Sequence, residues 1–294
     1  MPNQPSPSSS QRPARRGRRH AATGVCALAA AVATVFSLGL LDPEQAAAAG
    51  TPARSGSAQA RFLAQVGTQG KEQVTAAVLD LDAPTRTPTV FGDVSRYDTA
   101  SIVKVDILAA LLLKAQDAGR PLTAKQRTLA QAMIERSDNG AADTLWRSIG
   151  LAPGLEAAND RLGLTSTQGG PGVEWGLTRT TASDQIRLLR AVFAPGSAGG
   201  LNAQSRDYIR TLMSRVVSEQ AWGVSAAGSP WELKNGWLKR SSTGLWDVNS
   251  IGWITSDGHP CLVAVLSDGS TSMNEGVSLV ERAARAAVSS ADVR

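Results

Sequence analysis

Residues 245–267 read LWDVNSIGWITSDGHPCLVAVLS. Two apolar stretches flank Asp257-Gly258, a dipeptide that tolerates the positive φ of a tight hairpin turn, so strands are expected at 245–255 and 260–267. The run PCLVAVL does not alternate, as a strand covered on both faces does not. Residues 231–238, WELKNGWL, add a third strand. Upstream, VTAAVLDLD (74–82) and TPTVFGDVS (87–95) form a second hairpin around the turn residues APTRTP. Between the hairpins the pattern is helical: 101–118, 123–136, 139–149, 153–162, 181–192 and 203–218, with a glycine-rich, aperiodic loop at 163–178. Amphipathic helices at 58–70 and 274–289 bracket the whole. The expected fold is α/β (α+β): a five-stranded antiparallel sheet flanked by helices, with the terminal helices on one face and an all-helical insertion over about 101–220.

The N-terminus reads as an export signal. Five arginines lie between residues 12 and 19, an apolar run follows at 24–41, and the small residues QAAAAG offer a cleavage site near Ala49. Residues 1–49 are therefore expected to be a signal peptide, 50–58 a flexible junction and 59–294 one domain, placing the chain in the secreted or cell-envelope class. Contact with a membrane is expected only through an uncleaved leader, and both the Sec and twin-arginine routes stay open. The leader holds five of the 30 basic residues and two of the 25 acidic ones, which leaves the remainder near charge balance. No nucleic-acid partner is indicated, because that needs a basic stripe to neutralise phosphates. Cys26 lies in the leader and Cys261 in the buried-strand pattern, so no disulfide is expected in the mature chain.

Elimination narrows the chemistry. The only histidine beyond the leader, His259, sits at a hairpin turn, where the base of a Ser-His-Asp triad is out of place. One histidine and one cysteine do not make the usual zinc site, clustered acids for a carboxylate-only site are not evident, and no glycine-rich phosphate loop precedes a helix; no metal and no cofactor are expected. Serine with lysine remains. Ser101-Ile-Val-Lys104 opens the longest helix, where i, i+3 spacing sets the two side chains on one face and the helix N-terminus favours developing negative charge. Burial and that same field would lower the lysine pKa towards that of a base. Ser137-Asp138-Asn139 opens another helix, and Lys234-Asn235-Gly236 ends a strand candidate. Taken singly, each is also an ordinary helix cap or edge lysine.

Taken in order, the three motifs resemble the class A β-lactamases and related penicillin-binding proteins, whose signatures are S-x-x-K, S-D-N and K-T-G. The resemblance runs from about residue 57 to the end and implies a β-lactamase-like fold. It implies that Ser101 attacks an acyl carbon, Lys104 takes its proton and Ser137 relays a proton to the leaving nitrogen. Asn139 would hold the substrate amide, Lys234 would meet a substrate carboxylate, and the N–H groups of Ser101 and Trp237, after Gly236, would hold the oxyanion. The implied substrates are β-lactams or D-alanyl cell-wall peptides, handled by a monomer.

This chain departs from the pattern at three places. Asn235 stands where threonine is common, with an amide that can still bond a carboxylate. The stretch between Lys104 and Ser137 is short. The loop before Thr180 lacks the E-x-x-L-N pattern that holds a deacylating glutamate, and Glu174 is its only acid. Glu174 is thus the candidate deacylating base if it points inward and a solvent-facing carboxylate if it points outward. The alternative to an enzyme is an inert envelope protein that keeps the fold for binding. The seven tryptophans, four of them between 222 and 246, are expected to pack between helices and sheet.

Overall fold

A computed structural model describes residues 51–68, 70–194, 200–291 and 293; the signal-peptide reading of residues 1–49 lies outside them. Strands β1 (Gln73–Asp80) and β2 (Thr89–Gly92) form the first hairpin, and β5 (Trp231–Lys239), β6 (Trp246–Ser256) and β7 (His259–Ser270) close the chain. They form one antiparallel sheet in the order β2-β1-β7-β6-β5, the five-stranded architecture read from the sequence. Asp257 and Gly258 both take positive φ, 49° and 87°, as a two-residue turn between paired strands requires.

β7 lies at the centre of the sheet, and its alternate residues enter different cores. Cys261, Val263 and Val265 face a cluster built with α1 (Thr51–Val66) and α8 (Met273–Ser290), whereas Leu262, Ala264 and Leu266 face the helical insertion. Burial on both faces is why PCLVAVL shows no alternation. The insertion comprises α2 (Val103–Asp117), α3 (Ala124–Glu135), α4 (Asn139–Ile149), α5 (Leu151–Leu162), α6 (Ala182–Phe193) and α7 (Ala203–Met213). The tryptophans at 222, 231, 237 and 246 pack against the α1–α8 core, in keeping with their expected use.

Two features differ from the expectation. α1 begins at Thr51, so residues 51–58, read as a junction, continue a helix. Pro52 is compatible with its first turn, and Phe62 and Val66 anchor it in the core at 0% and 1% exposure. The sequence also hid a second sheet, in which β3 (Tyr97–Asp98) pairs with β4 (Arg179–Thr180). Two residues per strand leave no period to detect, yet this pairing docks the 163–178 loop beside the start of α2.

Phe62 stacks on Phe91 of β2 with ring centroids 5.1 Å apart, joining the first helix to the sheet edge. Phe62→Ala is expected to lower unfolding free energy by about 3–5 kcal/mol, the usual cost of deleting a buried phenyl ring. Denaturant titration measures it, and a loss below about 1 kcal/mol would mean that α1 contributes no core.

Candidate active site

Ser101 lies in a 3-10 turn, Ala100–Ile102, that runs directly into α2. Ala100 is held at φ 47°, a left-handed conformation costing an alanine about 1–3 kcal/mol unless its surroundings enforce it. The surroundings are explicit. Asn249 of β6, fully buried, donates from Nδ2 to Asp98 O (2.9 Å) and Thr99 O (3.1 Å), and its Oδ1 accepts from Ser267 N (3.0 Å). Thr99 N–H donates to Thr178 O at 2.8 Å. The buried Asp98 carboxylate meets Arg179 at 3.6 Å and also pairs with Arg240, which reaches Asp247 at 2.9 Å. The strand carrying Lys234 presses on the same turn: a Cβ on Gly236 would lie 2.6 Å from Ser101 N and 2.8 Å from Ile102 N. Only glycine permits that approach.

Neither serine serves as a helix cap. No side chain caps the turn at Ser101 or the start of α2, and at α4 the cap is Asp138, whose Oδ1 accepts from Ala141 N at 2.6 Å. Ser137, at φ 56°, is left to turn its hydroxyl elsewhere. Lys104 Nζ donates to Ser137 O (2.7 Å), Ser137 Oγ (3.1 Å) and Asn139 Oδ1 (2.8 Å). Lys234 Nζ donates to the same Ser137 Oγ at 3.1 Å and to Asn235 O at 2.8 Å. Ser137 Oγ is therefore shared by two amines from opposite halves of the molecule. The expected contact of Lys104 with Ser101 takes a different form, since among the described residues its hydrogen bonds run to Ser137 and Asn139 and none to Ser101 Oγ.

Both lysines are 0% exposed, and neither has a carboxylate within ion-pair distance among the described residues. Burial holds Lys104 down to about 7, against a smaller upward pull from Asp138 and Asp143. The aromatic face of Trp175, its centroid 4.7 Å from Nζ, also favours the cation, and desolvation prevails. Burial first, and the neighbouring Lys104 second, lower Lys234 well below the ordinary lysine range. Two unpaired cations this close, both out of water, cannot easily coexist.

A cavity of about 380 Å³ opens above this arrangement, lined by Ser101, Asn139, Arg147, Glu174, Trp175 and Trp237 among others. Glu174 is exposed although it lines the cavity. Its loop is pinned from α4, where Trp146 Nε1 donates to Gly172 O (2.9 Å) and Asp143 Oδ1 accepts from Trp175 Nε1 (2.7 Å). Asn235 is not placed for a substrate carboxylate. It is fully buried, and its Nδ2 donates to Gln220 O (2.7 Å) and Trp222 O (2.8 Å), so its amide holds the approach to β5 where a threonine would have no reach. Asn249, Arg147, Asp143 and Trp175 were not singled out in the sequence; none belongs to a signature, and only the fold brings them to the site.

No curated protein matches the chain in sequence. Solved structures do match in fold. A crystal structure of the TLA-1 extended-spectrum β-lactamase superposes with a TM-score of 0.68 at 17% identity, covering 81% of this chain and 99% of that one. A class A β-lactamase representative from Bacteroides cellulosilyticus gives 0.66 at 15%, covering 81% and 99%. A mutant of PBP-A, captured as an acyl-enzyme complex with penicillin G, gives 0.65 at 19%, covering 81% and 97%. The family model described as "Beta-lactamase enzyme family" matches residues 116–291, a span that holds Ser137, Asn139, Glu174 and Lys234 and begins after Ser101 and Lys104. With most of its length matched by that model and its sheet and helical insertion arranged as in those structures, this chain belongs to the β-lactamase enzyme family.

Proposed function

We propose that this protein is an exported serine acyl-hydrolase that opens β-lactams, or related acyl amides such as D-alanyl peptides, through an ester on Ser101. The observation that carries the reading is the pair of buried lysines meeting at Ser137 Oγ without a carboxylate partner. A binding module gains nothing from burying two amines, whose desolvation costs several kcal/mol per ion. An acylating serine does gain, because a desolvated amine is a base near neutral pH.

Neutral Lys104 has two N–H bonds for Ser137 O and Asn139 Oδ1 and a lone pair to receive a proton. As Ser101 Oγ bonds to the acyl carbon, its proton passes to Lys104. When the C–N bond breaks, the leaving nitrogen takes a proton through Ser137 Oγ, which Lys234 orients from the other side. The N–H groups of Ser101 and Trp237 receive the oxyanion. Asn139, on the cavity wall, orients the substrate amide. Lys234, its charged form disfavoured by burial, meets a substrate carboxylate through an N–H donor, and the exposed Arg147 offers a cation at the cavity. The leader at 1–49 supports action in the cell envelope or outside the cell.

Deacylation needs a base that holds water against the ester. Glu174 lines the cavity but is exposed, and among the described residues no hydrogen bond fixes its carboxylate. The acyl-enzyme is therefore expected to persist for minutes or longer with benzylpenicillin. Intact-protein mass spectrometry should show a stable mass increase that is absent in Ser101→Ala and nearly absent in Lys104→Ala. Absence of labelling by any acylating probe would favour the inert binding protein, and rapid return to free enzyme with hydrolysed penicillin would show that a deacylating base is in place.

The pH dependence has a definite sign. Lys104 must be neutral to accept the proton, and its pKa is held at about 7. The acylation rate is expected to climb close to tenfold per pH unit below about 7 and to level off above it. A rate constant independent of pH between about 5.5 and 8.5 would contradict Lys104 as the base.

A further inference from the structure

Asp80 ends β1, Asp82 follows in the exit loop, and His259 begins β7. The sheet brings these three together at one end. One oxygen of each carboxylate and one imidazole nitrogen all lie within 4.8 Å of one another. His259 Nδ1 is buried and has no hydrogen-bond partner among the described residues. Asp82 Oδ2 stands 3.8 Å from it, beyond hydrogen-bonding reach. The backbone beneath is fixed on both sides. Asp80 Oδ1 accepts from Asp82 N at 2.8 Å, Leu81 N–H donates to Pro260 O at 2.9 Å, and Asp80 pairs in register with Cys261.

An imidazole nitrogen that is buried and unpaired carries a desolvation cost, and two carboxylates beside it repel each other. A divalent cation relieves both. Bonds of about 2.0–2.2 Å to a tetrahedral zinc ion set its ligand atoms roughly 3.3–3.6 Å apart. The Asp82 side chain, 60% exposed, is free to close the small remaining gap. One imidazole with two carboxylates suits zinc and similar borderline ions better than calcium, which takes oxygen alone. The geometry points to a divalent-cation site made by Asp80, Asp82 and His259, with water completing the shell, that clamps the exit of β1 to the β6–β7 hairpin. It shares no residue with the cavity at Ser101, so its effect is on the fold and not on the reacting atoms. Nothing in the sequence links the three ligands, because Asp80 and Asp82 lie far from His259 along the chain and only the pairing of β1 with β7 brings them together.

Calorimetric titration of the untagged chain with zinc chloride tests the proposal. One ion per chain is expected, with a rise in Tm of roughly 5–10 °C when free zinc is about a hundredfold above Kd. Affinity should fall at least tenfold in Asp82→Asn and in His259→Ala, with circular dichroism confirming that each variant folds. Cys261→Ser, which removes the one thiol near the site, should bind as the parent does. No binding, or equal binding in the parent and both ligand variants, would overturn the site.

Discussion

Everything at the centre of this molecule turns on the hydroxyl of Ser137, which receives Lys104 from the helical insertion and Lys234 from the sheet, each at 3.1 Å. Both amines are cut off from water, so the protonation of one is felt by the other. The cost of hiding two bases is met by hydrogen bonds to Ser137 O, Asn139 Oδ1 and Asn235 O and by the packing of both halves against them. The site is therefore also the seam of the fold. A change that separates the halves releases the amines to water, returning Lys104 towards ordinary lysine behaviour.

Holding that seam requires backbone that would not adopt its shape unaided. Ala100 and Ser137, one on each side, are both left-handed, at φ 47° and 56°. Strain of this kind persists where neighbours over-determine it, and here they can be named. Asn249 ties the chain before Ser101 to the sheet, the Asp98, Arg179, Arg240 and Asp247 cluster secures it from the side, and Gly236 lets β5 press against it. Burial raises Asp247 to about 7 and lifts Asp98 despite their arginines. Desolvation thus sets the titration on both sides of Ser101.

Strands with a period or a covered centre were legible in the sequence. β7 was readable because burial on both faces makes its apolar run continuous, and the β6–β7 turn because Asp-Gly suits positive φ. The paired residues 97–98 and 179–180 were not, being too short to carry a pattern. The three motifs marked Ser101, Lys104, Ser137 and Lys234, and the structure gathers their segments around one cavity. It did not follow from spacing that Lys104 would bond to Ser137 and Asn139, because i, i+3 geometry speaks only of its own helix. Nor did it follow that Asn235 would face the 220–222 segment, which depends on where a distant loop lies.

The most direct test is a crystal structure of the protein after reaction with benzylpenicillin. Continuous density is expected from Ser101 Oγ to the opened acyl group, with its carbonyl oxygen within about 3 Å of the Ser101 and Trp237 N–H groups and Lys104 still held by Ser137 and Asn139. Density for the acyl group on any other side chain, or a carbonyl oxygen turned away from both N–H groups, would contradict it.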